Sequence, residues 1–271
     1  MEPVGVVETP VVPSQRAASP ASPGSWASKA VAAKPAVIAK GASKVADQGS
    51  LPPKAAAVVA SWQPTVSGEI AGKRTREESQ AAMEALRKRY EADAPHKHFK
   101  TDHHSIVWGE GDIKARLMFV GEAPGEEEDK AGRPFVGRSG QLLDKMIAGM
   151  GLHREQVYIA NVLKTRPPNN ATPTTTESDL CAPYLLEQIS IVSPLVIVTL
   201  GLPAVKVLLR TDANMGTLRG KWASLLLPDG RKVPVMPTYH PAYVLRSYTD
   251  EVRGKVWADL KMAMEGMAGP K

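Results

Sequence analysis

Ala115-Arg116-Leu117-Met118-Phe119-Val120 runs directly into Gly121-Glu122-Ala123-Pro124-Gly125, and Gly132-Arg133-Pro134-Phe135-Val136-Gly137 follows a few residues later. The first six residues form a short apolar run closed by a turn signal, which predicts a buried strand. Glycines at 121, 125, 132 and 137 let the main chain approach a ligand closely. The stretch reads as a strand that ends on the floor of a pocket.

From there the pattern alternates. Strands are expected at 115–120, 157–163, 195–200 and near 233–238, with helices at 139–150, 176–192, 202–210 and 250–267 and a hairpin turn at Pro228-Asp229-Gly230. Alternating strands and helices imply right-handed crossovers and a parallel sheet covered on both faces. The fold class is therefore α/β, a three-layer sandwich around a central, mainly parallel four-stranded sheet. Ligands collect at the carboxyl ends of such strands. Gly121, Gly201 and His240 each follow an apolar strand, and Asn161 interrupts one near its end, so these positions are expected to converge. Neither a G-x-G-x-x-G nor a G-x-x-x-x-G-K-[ST] string occurs, which removes the main support for dinucleotide or P-loop chemistry.

Composition sets the outer limits. Residues 1–72 hold nine prolines amid Ala, Ser and Val without sustained apolar periodicity, a composition that cannot bury enough surface to offset chain entropy. That segment is expected to be a disordered low-complexity tail, leaving 73–271 as the folded domain. A helix from about Glu77 to Ala92 places Met83, Leu86 and Tyr90 on one face; it reads as a helix packed on the domain, with a basic DNA-binding arm as the alternative. The first residues show no basic stretch followed by an apolar one, and no apolar run approaches membrane-spanning length, so a cytoplasmic chain with no membrane partner is expected. The net charge of +6 favours a polyanionic partner. A single cysteine, Cys181, argues against a disulfide framework.

The string GEAPGEEEDKAGRPFVGRSGQLL, together with Val157–Pro168, Leu195–Gly201 and Tyr239-His240-Pro241-Ala242-Tyr243-Val244-Leu245-Arg246, resembles four motifs of the uracil-DNA glycosylase superfamily in family order. The similarity is greatest to the thermostable family-four group, which carries an iron–sulfur cluster on four cysteines. Here the third cluster position is Thr165, the fourth is Cys181, and no cysteine lies upstream. An ordinary cluster needs four thiolates, so no cofactor and no metal are expected, with the 96–108 loop held by packing. His96, His98, His103 and His104 lie in that loop; without regular ligand spacing they read as a solvated His-rich segment rather than a zinc site.

The resemblance implies a monofunctional glycosylase that flips uracil out of double- or single-stranded DNA and hydrolyses it away, acting as a monomer at the nucleoid. It puts His240 beside uracil O2 to stabilise the departing anion, and Glu122 where a carboxylate orients water and faces the cationic sugar. Gly121 and Ala123 form the base-binding floor, Phe135 stacks on the base, and Asn161 reads N3 and O4. Asn is a poor strand former, so a pairing need has to compensate Asn161 within its apolar run; a structural amide is the alternative there. Val244 and Leu245 are expected to fill the vacated base stack, while Lys164, Arg166 and Arg246 meet phosphates. Glu126, Glu127, Glu128 and Asp129 read as a solvated acidic edge. The competing readings are a glycosylase with broader base choice, including hypoxanthine or xanthine, and a non-catalytic DNA-binding relative.

Overall fold

A computed structural model describes residues 74–268. The expectation of a tail over 1–72 lies outside the described residues. In chain order the elements are α1 (Arg76–Asp93), β1 (Glu110–Gly111), β2 (Leu117–Gly121), α2 (Glu126–Ala131), α3 (Arg138–Gly149), β3 (Tyr158–Asn161), α4 (Thr175–Val192), β4 (Val196–Leu200), α5 (Leu202–Leu209), α6 (Met215–Leu218), β5 (Ala223–Leu226), β6 (Lys232–Thr238), α7 (Pro241–Arg246) and α8 (Asp250–Ala268).

The sheet has six strands in the order β1-β3-β2-β4-β6-β5. Its four central strands are parallel, as the alternating pattern implies, whereas β1 and β5 add antiparallel edges that correct the four-strand expectation. The omission has a physical cause: β1 is two residues long, too short to carry a period, and β5 is the first arm of the hairpin whose turn was foreseen.

Alternation along β2 feeds two separate cores. Met118 and Val120 point into a cluster with α1, α4 and α5, while Leu117 and Phe119 point into one with α3 and α8. Burial of both faces explains why the run is apolar throughout rather than alternating. Helix α1 starts at Thr75, whose side chain and that of Glu78 satisfy each other's main-chain N–H groups, and it buries Met83, Leu86 and Tyr90. It is tied to α4 by ion pairing of Arg89 with Glu187 and by the Tyr184 hydroxyl donating to Asp93 at 2.6 Å.

Register decides where chemistry sits. Gly121 lies opposite Asn161, Val120 opposite Thr199, and Leu200 opposite Thr238. The carboxyl ends of all four parallel strands therefore finish level. The chain leaves β2 to pair β3 on one side and returns to place β4 on the other, so a crevice opens at this reversal of strand order.

Candidate active site

The crevice is a cavity of about 860 Å³ whose lining includes Glu122, Ala123, Phe135, Asn161, His240 and Arg246. Glu122 and Ala123 come from the turn after β2, Asn161 is the last residue of β3, and His240 follows β6 and caps α7. Gly121 lies directly beneath. A Cβ at that position would stand 2.3 Å from Asn161 Oδ1 and 2.5 Å from the tip of the Phe135 ring, so only glycine lets these two side chains close over the strand end.

Phe135 occupies the left-handed region at φ 52°, a strained conformation for a bulky residue. Its surroundings impose it. Glu128 accepts from the main-chain N–H groups of Val136 and Gly137 at 2.9 Å each and of Gly125 at 3.2 Å. Arg154 donates to the carbonyl of Pro134, and a Cβ at Gly140 would fall 1.8 Å from the Phe135 carbonyl oxygen. The ring is thereby set 5.7 Å from that of His240. Asp129, fully buried, accepts from the N–H groups of His104 and Ser105 and anchors the His-rich loop. Glu128 and Asp129 are clamps, which corrects their reading as part of a solvated acidic edge; Glu126 and Glu127 are exposed.

His240 Nδ1 accepts from the Ala242 N–H at 3.1 Å. The proton of a neutral ring is therefore on Nε2, available as a donor. Burial, then the charge of Arg246, lowers the His240 pKa to about 4, against an opposing effect from Glu128. Burial raises the carboxyl of Glu122 above its ordinary range, and a hydrogen bond with Thr172 opposes the shift. Asn161 is 1% exposed and its Oδ1 has no partner within the described protein. A buried unpaired acceptor costs about 1–3 kcal/mol, so this atom waits for a donor.

The expected phosphate and wedge residues fare differently. Arg246 is exposed at the cavity. Arg166 lies mostly buried, donating to Asn170 at 2.7 Å and facing Glu126 at 3.7 Å, so it braces the 167–170 turn. Lys164 is wholly buried: its Nζ donates to the Asn161 carbonyl at 2.7 Å and to Gln188 at 2.5 Å and lies over the Trp108 ring. It cannot reach DNA, which corrects its assignment as a phosphate contact. Burial lowers its pKa to about 7. Val244 is also fully buried, which corrects its expected role as a wedge, whereas Leu245 is half-buried against the core of α3 and α8. Tyr243 beside them is exposed, 38% accessible, with its ring 4.8 Å from Tyr239. Sequence reasoning passed over Tyr243, as it did Arg138, Ser139 and Thr172, which also line the cavity. Ser139 and Arg138 open α3, so a helix-start signal after Gly137 was their available marker.

The place implied for an iron–sulfur cluster is filled by protein. Cys181 and Thr165 are buried, and the Tyr90 hydroxyl lies beside both. The Tyr90 ring is packed by His96, Trp108 and Tyr184 at centroid distances of 5.6, 5.5 and 5.0 Å. One thiol, pushed up to about 12 by burial, does not make a cluster site. Among the described residues, no three His, Cys, Asp or Glu side chains gather as metal ligands.

An aromatic ring, a buried amide and an imidazole thus meet in one pocket at the ends of the parallel strands. Residues 108–261 match the Uracil DNA glycosylase superfamily, and the chain belongs to that family. Among its relatives, the Type-4 uracil-DNA glycosylase of Thermotoga maritima is 47% identical over 160 residues, covering 59% of this chain and 81% of that one. The Type-4 enzyme of Pyrobaculum aerophilum is 45% identical over 166 residues, covering 60% and 83%. A Type-5 uracil-DNA glycosylase of the same organism is 31% identical over 147 residues, covering 49% and 63%.

Proposed function

We propose that this protein is a monofunctional DNA glycosylase that flips uracil out of DNA and removes it by hydrolysis, leaving an abasic site. One observation carries the reading: the unpartnered Oδ1 of Asn161, the Phe135 ring and the neutral His240 meet in one cavity above Gly121. Uracil lying on Phe135 presents N3–H to Asn161 Oδ1 and O4 to its amide nitrogen. His240 Nε2–H then faces O2.

In the reaction the bond between deoxyribose C1′ and uracil N1 breaks and its electron pair leaves with the base. His240 donates to O2, and that hydrogen bond strengthens as negative charge builds, so it favours the transition state over the ground state. A neutral donor suits this role, since it holds the anion without giving up its proton. The Glu122 carboxylate stands opposite the positive charge on the sugar and orients water, which adds to C1′ and loses a proton to the carboxylate or to solvent. Base extrusion costs a few kcal/mol. Tyr243, exposed beside the cavity mouth, is the side chain able to enter the gap left in the stack.

The enzyme acts as a monomer, on single- or double-stranded DNA, in the cytoplasm at the nucleoid. Among the described residues, no helix is long and apolar enough to cross a membrane. Base range is tested with a panel of oligonucleotides carrying uracil, hypoxanthine, xanthine or a thymine mismatch, each incubated and then cleaved with alkali. Uracil-dependent cleavage is expected. Comparable cleavage at hypoxanthine or xanthine shows the broader enzyme, and intact strands throughout show a non-catalytic DNA-binding relative.

A further inference from the structure

The Pro167-Pro168 step is a shared wall. Pro167 lines the uracil cavity, and Pro168 lines a second hollow of about 650 Å³ on its other side. The floor and rim of this hollow come from the His-rich loop, including His96, Lys97, Lys100, Asp102 and His103.

The loop is built into the domain. Asp129 holds the N–H groups of His104 and Ser105, and the Asp102 N–H donates to the Arg166 carbonyl at 3.1 Å. The carboxylate of Asp102 in turn accepts from the Asn169 N–H at 3.4 Å, so the one acid in the hollow is turned to the neighbouring turn. Lys97 and Lys100 are exposed and enter no salt bridge with any described residue. His96 is only 8% exposed and its Nδ1 has no partner, while its ring packs between Tyr90 and His103.

We infer that this second hollow is a phosphate subsite, which takes a backbone phosphodiester of the DNA strand flanking the flipped nucleotide. The inference rests on the glycosylase reading for the identity of the strand. Two exposed cations without acidic partners among the described residues and a common wall with the base pocket give the right sign of charge one residue from the right place. Phosphate contacts carry no sequence information but fix register, so the subsite would hold the strand while Tyr243 and Phe135 handle the base.

The test is fluorescence anisotropy of the full chain on a uracil-free single-stranded oligonucleotide between 50 and 200 mM salt. Each phosphate neutralised on a single strand contributes about −0.7 to the slope of log K against log salt. The Lys97→Gln/Lys100→Gln variant is expected to flatten that slope by about 0.7, the share of one phosphodiester, and weaken binding roughly tenfold at the lowest salt. Lys232→Gln, at the exposed start of β6, serves as the control for loss of charge alone. An unaltered slope in the double variant, or an equal change in Lys232→Gln, overturns the subsite. Because this DNA holds no uracil, the result is independent of excision: failure to excise uracil would overturn the glycosylase reading alone.

Discussion

The buried amine of Lys164 donates to the main-chain carbonyl of Asn161 at 2.7 Å, so the residue proposed to read the base is braced from behind by a lysine that never meets solvent. The same Nζ donates to Gln188, whose amide donates to the Trp108 carbonyl at 3.0 Å. The loop after β3, helix α4 and the segment before β1 are thereby locked together.

Lys164→Met removes both donors and leaves two buried acceptors unsatisfied. A loss of about 2–6 kcal/mol of stability is expected, at about 1–3 kcal/mol for each unpaired group. Thermal unfolding reads it. Excision should fall more than DNA affinity, because Asn161 loses its support while the DNA-facing surface is untouched.

Gly121→Ala forces a methyl group against Asn161 and Phe135 at once. Displacing two substrate-contacting groups by about 1 Å should cost about a hundredfold in single-turnover excision. An Ala variant that excises at the normal rate would show that the strand end has more room than the geometry allows.

Glu122 carries a raised carboxyl pKa, and its proposed role opposite the sugar cation needs the ionised form. Excision should rise with pH through a midpoint above the ordinary carboxylate range, and Glu122→Gln should lower the rate and abolish that limb. His240, with its pKa lowered to about 4, stays neutral over the same interval and adds no limb of its own. Its effect falls on stability. Between about pH 6.5 and 4 the unfolded chain binds more protons at this residue than the folded one, so stability is full above that window and declines as pH falls through it. Acid unfolding of wild type and His240→Ala compares the two.

Tyr90 fills the space beside Cys181 and Thr165 with an aromatic ring. Tyr90→Ala should cost about 3–5 kcal/mol, as large-to-small changes of buried aromatic residues do. Tyr90→Phe should cost little, since the hydroxyl makes no well-formed hydrogen bond. Purified protein should contain no stoichiometric iron or sulfide, and about four irons per chain would overturn this account of the region.

Strands that are apolar because both faces are buried, and a glycine-rich turn at the end of the first, were legible from residue order alone. So was Asn161, because an amide at the end of an apolar strand demands a partner. Lys164 was not: a lysine beside Thr165 and Arg166 reads as a basic surface, and only the fold shows that the chain turns inward there. Glu128 and Asp129 sit in a run of four acids, where solvation is the natural reading until the N–H groups they accept from are located. Val244 and Leu245 follow the His-Pro turn, where both read as wedges, yet a short helix rotates Val244 into the core, half-buries Leu245 and leaves Tyr243 outside. Each miss concerns which way a side chain faces, a property set by tertiary packing.

The central claim is that these residues release uracil by cleaving its glycosidic bond. Its most direct test is single-turnover release of free uracil from an oligonucleotide carrying one labelled uracil, with wild type and His240→Ala assayed beside DNA binding. Wild type should release one uracil per strand and leave an alkali-labile site; His240→Ala should bind similarly and release it roughly a hundredfold more slowly, the scale for losing one preorganised donor to a developing anion. Absence of released uracil from wild type, or an undiminished rate in His240→Ala, would contradict the account.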